Sequence, residues 1–149
     1  MIALVQRVAR ASVSVDGKLA SSIGKGILVL VGIFADDTDT DIEYCARKCA
    51  ELRIFEDGER KMNRSVEDIG GEILVVSQFT LAARVRKGRR PSFDRAMQPD
   101  KASLMIGQFC DILRKRGLTV REGVFGALMD VELVNSGPVT IIVDSREKR

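Results

Sequence analysis

The sequence predicts an α+β fold, with mostly antiparallel and mixed β-sheets forming a barrel-like sandwich and two main helices packed on one side. Three observations carry that expectation. Short β-branched apolar runs recur along the 149 residues, many joined by tight-turn residues. Only two stretches show a pronounced helical periodicity. Strands and helices do not alternate as repeated βαβ units.

Each element has a local reason. Residues 2–8 read as a strand, and Ala11, Val13 and Val15 then alternate with polar residues up to the hairpin turn Asp16-Gly17. Residues 27–34 are an almost unbroken apolar run, expected to be a strand buried on both faces. Asp36, Asp37, Asp39 and Asp41 follow, but the glycine and distal glutamate of an EF-hand loop are missing. They read instead as helix-start chemistry, with Asp39 or Thr40 as the cap and the acids favouring the positive end of the helix dipole. Ile42, Cys45, Ala46 and Cys49 share the buried face of that helix. Residues 52–55 are expected to form a short strand. Residues 56–71, containing Lys61-Met62-Asn63, read as a polar loop, and residues 72–79 as a central strand. Pro91-Ser92-Phe93 reads as a short helical turn. Asp100 caps a long amphipathic helix with Leu104, Met105, Phe109, Ile112 and Leu113 inside, and Gly117 ends it. Residues 118–121, 129–134 and 139–143 complete the strands.

Composition narrows the function. The length suits one domain spanning 1–149 with a substantial core. A hydrophobic fraction of 45% and a charged fraction of 30% fit an ordinary soluble globular protein. No apolar run approaches the ~20 residues of a membrane helix. The N-terminus has no basic leader, and Gln6 and Arg7 interrupt its apolar stretch, so a cytoplasmic location is expected. Three cysteines, an odd number, argue against a disulfide framework, and all three read as small core hydrophobes. There is no histidine, which removes the usual general base, the Ser-His-Asp and Cys-His systems and the commonest zinc ligand. No metal and no cofactor are expected; Gly24-Lys25-Gly26 is too short for a phosphate-binding loop.

The stretch Ser77-Gln78-Phe79-Thr80-Leu81 places three hydrogen-bonding side chains where a buried strand runs out. Alternation would put Ser77 and Phe79 on one face, and Gln78 and Thr80 on the other. Backbone N–H groups freed there are suited to holding an oxyanion. The plainer reading is that polar residues end a strand because they meet water. Arg84, Arg86, Lys87, Arg89 and Arg90 follow at once. They are far more basic than the net charge of +3 requires, and suit phosphate contact or simply a solvated loop. Near the other end lies Asn135-Ser136-Gly137-Pro138-Val139-Thr140, where Gly137-Pro138 either presents rigid carbonyls or makes an ordinary hairpin.

Taken together these segments resemble the D-aminoacyl-tRNA deacylases. The resemblance runs through Val5-Gln6-Arg7-Val8, Leu52-Arg53-Ile54-Phe55-Glu56-Asp57 and Lys61-Met62-Asn63. It continues through residues 77–81, Lys87-Gly88-Arg89-Arg90-Pro91-Ser92-Phe93, Phe125-Gly126-Ala127 and residues 133–140, covering essentially the whole chain. It implies hydrolysis of the ester joining a D-amino acid to the terminal ribose of tRNA; rejection of L side chains by clash at a Gly-Pro element would leave glycyl-tRNA tolerated to some degree. It further implies a homodimer in which Ser77, Gln78, Phe79 and Thr80 of one subunit face Gly137 and Pro138 of the other, with Arg7 holding the Gly-Pro element. The sequence departs from its relatives at Ala83-Arg84-Val85, where acidic or hydroxyl residues are frequent, which bears on tRNA preference.

An aminoacyl ester is already activated, so positioning and charge stabilisation matter more than a strong nucleophile. Two mechanisms fit. Backbone N–H groups near Phe79 and Thr80 hold the carbonyl oxygen while water attacks with help from the tRNA 2′-hydroxyl, or Thr80 itself attacks, for which no partner base is evident. A noncatalytic RNA-binding dimer would explain the basic loop but not the pairing of the two polar motifs. With aromatics at 5%, it would also lack a stacking surface.

Overall fold

The computed structural model describes residues 1–86 and 88–147. Its strands and helices are β1 (Ile2–Val15), β2 (Lys18–Ile23), β3 (Gly26–Gly32), α1 (Asp39–Glu51), β4 (Phe55–Glu56), β5 (Met62–Arg64), β6 (Glu72–Ser77), α2 (Pro99–Lys115), β7 (Thr119–Glu122) and β8 (Met129–Asp144). The main sheet runs β2-β1-β3-β6-β7, with β8 on the other side of β1, and β4 pairs only with β5. The β3–β6 and β6–β7 pairs are parallel, while the pairs made by β1 are antiparallel. The expected mixed sheet, nearly closed into a barrel with two helices on one side, is what forms.

Closure comes from the length of two strands. The first half of β1 pairs with β3 and with the end of β8; its second half pairs with β2 and with the start of β8. The chain therefore bends from one layer into the other and encloses a core on each face of β3. Ile27, Val29 and Val31 pack toward α1 and α2 together with Ala3, Val5, Ile73 and Val75. Leu28 and Leu30 point the other way, to Val8, Val13, Leu74 and Val76. This is why residues 27–34 lack polar alternation. Gly26 permits the close approach of β3 to β6, because a Cβ there would lie 1.8 Å from the Glu72 carbonyl oxygen.

Several local expectations are corrected. The cap of α1 is Thr38, whose N–H and hydroxyl both donate to Asp41 Oδ2, at 2.9 and 2.8 Å; Asp39 and Thr40 already lie inside the helix. Helix α2 begins with Pro99 after Gln98, leaving Asp100 in its first turn. Leu104 is 72% exposed and does not belong to the buried face. Residues 52–54 are not strand, and the stretch expected as a loop contains β5. Strand β6 stops at Ser77, and Phe79–Ala82 forms a 3₁₀ turn, so the expected alternation through Thr80 does not hold. Ser92 is in an isolated bridge with Arg84, not in a helical turn. Residues 129–144 are one strand, not two strands joined by a hairpin.

The N-terminus is buried. The Met1 ammonium lies 2.5 Å from Asp37 Oδ1 and 2.8 Å from Ser145 Oγ, while Asp37 Oδ2 accepts the Phe34 N–H at 2.7 Å. Among the described residues, no helix is long and apolar enough to cross a membrane.

Candidate active site

Ser77, Gln78 and Phe79 of the sequence-predicted motif line a cavity of about 620 Å³, and Thr80 follows directly. The Gln78 N–H is spent on the sheet, donating to the Val31 carbonyl at 2.8 Å. The chain then turns, and the Leu81 N–H donates to the Gln78 carbonyl and that of Ala83 to Thr80. The intervening N–H groups of Phe79 and Thr80 have no acceptor among the described residues. On the side-chain side, Gln78 Nε2 donates to Thr80 Oγ1.

The cavity walls are neutral. Val31, Ile33 and Val76 form its floor, and Met97, Phe125 and Leu128 are among its other lining residues. Among the described residues, no lining residue is titratable. Phe79 and Phe93 meet edge-to-face with ring centroids 5.0 Å apart. With Phe125 they put three of the chain's six phenylalanines, all partly exposed, around one space. A low overall aromatic content therefore coexists with a local cluster of phenylalanines. Sequence reasoning missed Phe93, Met97, residues 125–129 and Val131 as lining. The available signal was that Phe79 and Phe93 bracket the basic loop.

That loop leaves the cavity after Phe79 and returns at Phe93. Its stems are held by the Arg84 N–H donating to the Ser92 carbonyl at 2.8 Å and the reverse bond at 3.0 Å. Arg84 also lies 3.6 Å from the Asp94 carboxylate, which Ser92 and then the arginine hold below the ordinary carboxylate pKa. Arg86, Arg89 and Arg90 are exposed and have no acidic partner among the described residues. Lys87 lies outside the described residues.

Gly137 and Pro138 are not in this cavity. Along β8 the register with β1 jumps from Asn135 opposite Val8 to Thr140 opposite Gln6, so residues 136–139 bulge out. The peptide between Gly137 and Pro138 is cis, and both residues are exposed. The bulge is anchored at both ends. The Val139 N–H donates to Asn135 Oδ1 at 2.8 Å, and Asn135 Nδ2 donates to the Val139 carbonyl at 3.2 Å. Arg7 Nε donates to the Ser136 carbonyl at 2.7 Å, and Arg7 Nη1 to the Ile54 carbonyl at 2.5 Å. Gly137 has φ +139°, and a Cβ there would lie 2.6 Å from Arg7 Nη2, so the position suits glycine.

The family model for D-Tyr-tRNA(Tyr) deacylase matches residues 4–144. The chain is 58% identical over 149 residues to the D-aminoacyl-tRNA deacylase of Thermomicrobium roseum, covering all of this chain and 97% of that one. It is 55% identical over 146 residues to the enzyme of that name from Thermodesulfovibrio yellowstonii, covering 98% of this chain and all of that one. Among solved structures, the c-Myc DNA unwinding element binding protein superposes with a TM-score of 0.91 at 47% identity, over 97% of this chain and 98% of that one. A probable eukaryotic D-amino acid tRNA deacylase superposes at 0.82 over 96% and 98% of the two chains, and at 21% identity shares the fold. The chain thus belongs to the D-Tyr-tRNA(Tyr) deacylase family, hydrolases of the aminoacyl ester bond.

Proposed function

We propose that this deacylase holds the ester carbonyl on the N–H groups of Phe79 and Thr80, and rejects L-aminoacyl esters through Gly137-Pro138 supplied by a second copy of the chain. The observation that carries the reading is the pair of unspent N–H groups at the edge of a cavity with no titratable lining residue. Such donors stabilise the charge that develops on the carbonyl oxygen as water attacks. No described side chain lining the cavity can act as a general base, so the hydroxyl next to the ester on the tRNA ribose relays the proton, accepting one from the attacking water while giving its own to the departing ribose oxygen. Thr80 has no base to activate it and acts with Gln78 as a polar support, not as a nucleophile. The phenyl rings of Phe79, Phe93 and Phe125 offer faces for the terminal nucleobase. Arg84, Arg86, Lys87, Arg89 and Arg90 contact acceptor-end phosphates.

Selectivity is by exclusion. The carbonyls of Gly137 and Pro138 take the substrate α-amino group and leave no room for an L side chain, so glycyl-tRNA is also cleaved. Within one chain these residues do not line the cavity, and Leu128 at its edge and Ile142 on β8 are 90% and 64% exposed. Both observations favour a homodimer with shared sites. The test is hydrolysis of D-tyrosyl-, L-tyrosyl- and glycyl-tRNA by purified protein with chelator present, for the wild type and Pro138→Ala. The wild type should release D-tyrosine and glycine only, and the variant should lose discrimination. A folded Pro138→Ala variant with full discrimination would overturn the exclusion argument.

A further inference from the structure

Two motifs, Arg53 to Asp57 and Lys61-Met62-Asn63, have no place in the proposed chemistry. They form the β4–β5 hairpin, a separate two-stranded sheet that pairs with no other strand among the described residues. We infer that this hairpin positions Gly137-Pro138, with Asp57, Asn63 and Arg53 acting through Arg7 to sharpen discrimination between D- and L-aminoacyl esters.

The connections are continuous. Asp57 organises the hairpin turn, its Oδ1 accepting the N–H groups of Glu59 at 2.8 Å and Lys61 at 3.0 Å. Its Oδ2 accepts Asn63 Nδ2 at 2.6 Å. These bonds, that from Asn63 foremost, hold the Asp57 carboxyl below its ordinary value, so it is an anion at neutral pH. Asn63 in turn accepts from Arg53, at its carbonyl from Nε at 2.7 Å and at Oδ1 from Nη2 at 3.4 Å. Arg53 precedes Ile54, whose carbonyl receives Arg7 Nη1. Arg7 spans from that carbonyl to Ser136, beside the Gly-Pro peptide. A guanidinium has donors in a rigid fork, so the Ile54 carbonyl and the Ser136 carbonyl are held at a set separation. Clamping Arg53 to Asn63 aims the Ile54 carbonyl. A chirality filter that works by steric exclusion needs this rigidity, since a misplacement of about 1 Å at a site can change rates by about a hundredfold.

The inference rests on the proposed role of Gly137-Pro138, and the experiment separates the two. Arg53→Ala, Arg53→Lys and Asn63→Ala are compared with Pro138→Ala, measuring kcat and KM for D- and L-tyrosyl-tRNA together with Tm. We expect Arg53→Ala and Asn63→Ala to reduce the D:L ratio of kcat/KM about tenfold, the effect of one lost charge-assisted hydrogen bond. The change should appear as faster L-ester cleavage with KM for D-tyrosyl-tRNA unchanged. Arg53→Lys, which keeps one donor, should recover part of the ratio. If Pro138→Ala loses discrimination while both alanine variants keep it, the hairpin inference is wrong and the exclusion mechanism stands. If Pro138→Ala itself keeps discrimination, the mechanism fails first. Equal loss of D and L rates would reduce the hairpin to a structural part. Should Arg53→Ala not fold, Arg53→Lys and Asn63→Ala decide together, since the first replaces the fork that reaches the Asn63 carbonyl and the second removes the exposed amide that ties Asp57 to Arg53.

Discussion

Removing the Asp37 carboxylate gives the clearest physical forecast. The Met1 ammonium is fully buried and the Asp37 side chain is 4% exposed, so water screens neither. Asp37→Ala leaves the ammonium with the neutral Ser145 hydroxyl alone and strips the Phe34 N–H of its acceptor. Breaking a buried ion pair from one side costs about 3–5 kcal/mol. For a domain of this size, each kcal/mol lowers Tm by roughly 2–4 °C, giving a fall of about 6–20 °C. Calorimetry and urea unfolding at pH 7 read it out. Asp37→Asn retains an acceptor for Phe34 and isolates the charge component. The site should feel the loss as well. The Ala35 N–H donates to the Arg95 carbonyl at 2.9 Å and that of Met97 to Ile33 at 3.0 Å, tying the Asp37 turn to the Phe93–Met97 side of the cavity. Activity should therefore decay at a lower temperature in the variant. A loss below about 1 kcal/mol in Asp37→Ala would show that the ammonium finds water, and would refute the reasoning.

Other consequences are as direct. Thr80→Ala should keep substantial deacylase activity; a folded, tRNA-binding variant with none would make Thr80 the nucleophile. Changing Arg89 and Arg90 to glutamine should weaken binding to many tRNAs alike and flatten the salt dependence by about two phosphate contacts, measured by titration over a range of ionic strength. Burial pushes the Cys45 and Cys110 thiols up to about 12, so a thiol reagent at pH 8 should find almost no thiolate in the folded protein and three cysteines after unfolding. Because these values are raised in the folded state, stability is intact below pH 9 and should decline as pH rises from there toward 12, which alkaline unfolding curves would show.

How much of this was readable beforehand follows from the range of the forces involved. Periodicity located the long strands and both helices, because burial on one or two faces writes itself into neighbouring residues. It failed for β5, where Met62, Asn63 and Arg64 are all exposed and the strand exists only because Phe55 and Glu56 pair with it. It failed also for Leu104, an apolar residue that meets solvent on a helix. The Asn-Ser-Gly-Pro stretch has turn chemistry, and the same residues serve a hairpin or a bulge. Pairing with β1 on both sides of it decides for the bulge, and β1 is more than a hundred residues away in the chain. Phe79 looked like the last residue of a strand because it is apolar, whereas the backbone had already turned.

The site is harder to read than the fold for a reason that follows from its chemistry. On the reading proposed here, both working parts are backbone: two N–H groups after β6 and two carbonyls in the β8 bulge. Backbone groups are common to every residue, so no side chain announces them. What the sequence does record is the apparatus that holds the backbone in place. Glycine stands at φ +139°, Asn135 closes the bulge on itself, and Arg7 bridges two carbonyls that lie 82 residues apart in sequence, from Ile54 to Ser136. The same logic accounts for a deacylase without histidine. An activated ester needs its carbonyl oxygen held and one enantiomer excluded, and rigid amides do both with less freedom to move than a side chain with rotamers. The residues worth mutating are therefore the anchors, and their effects should appear in selectivity before they appear in rate.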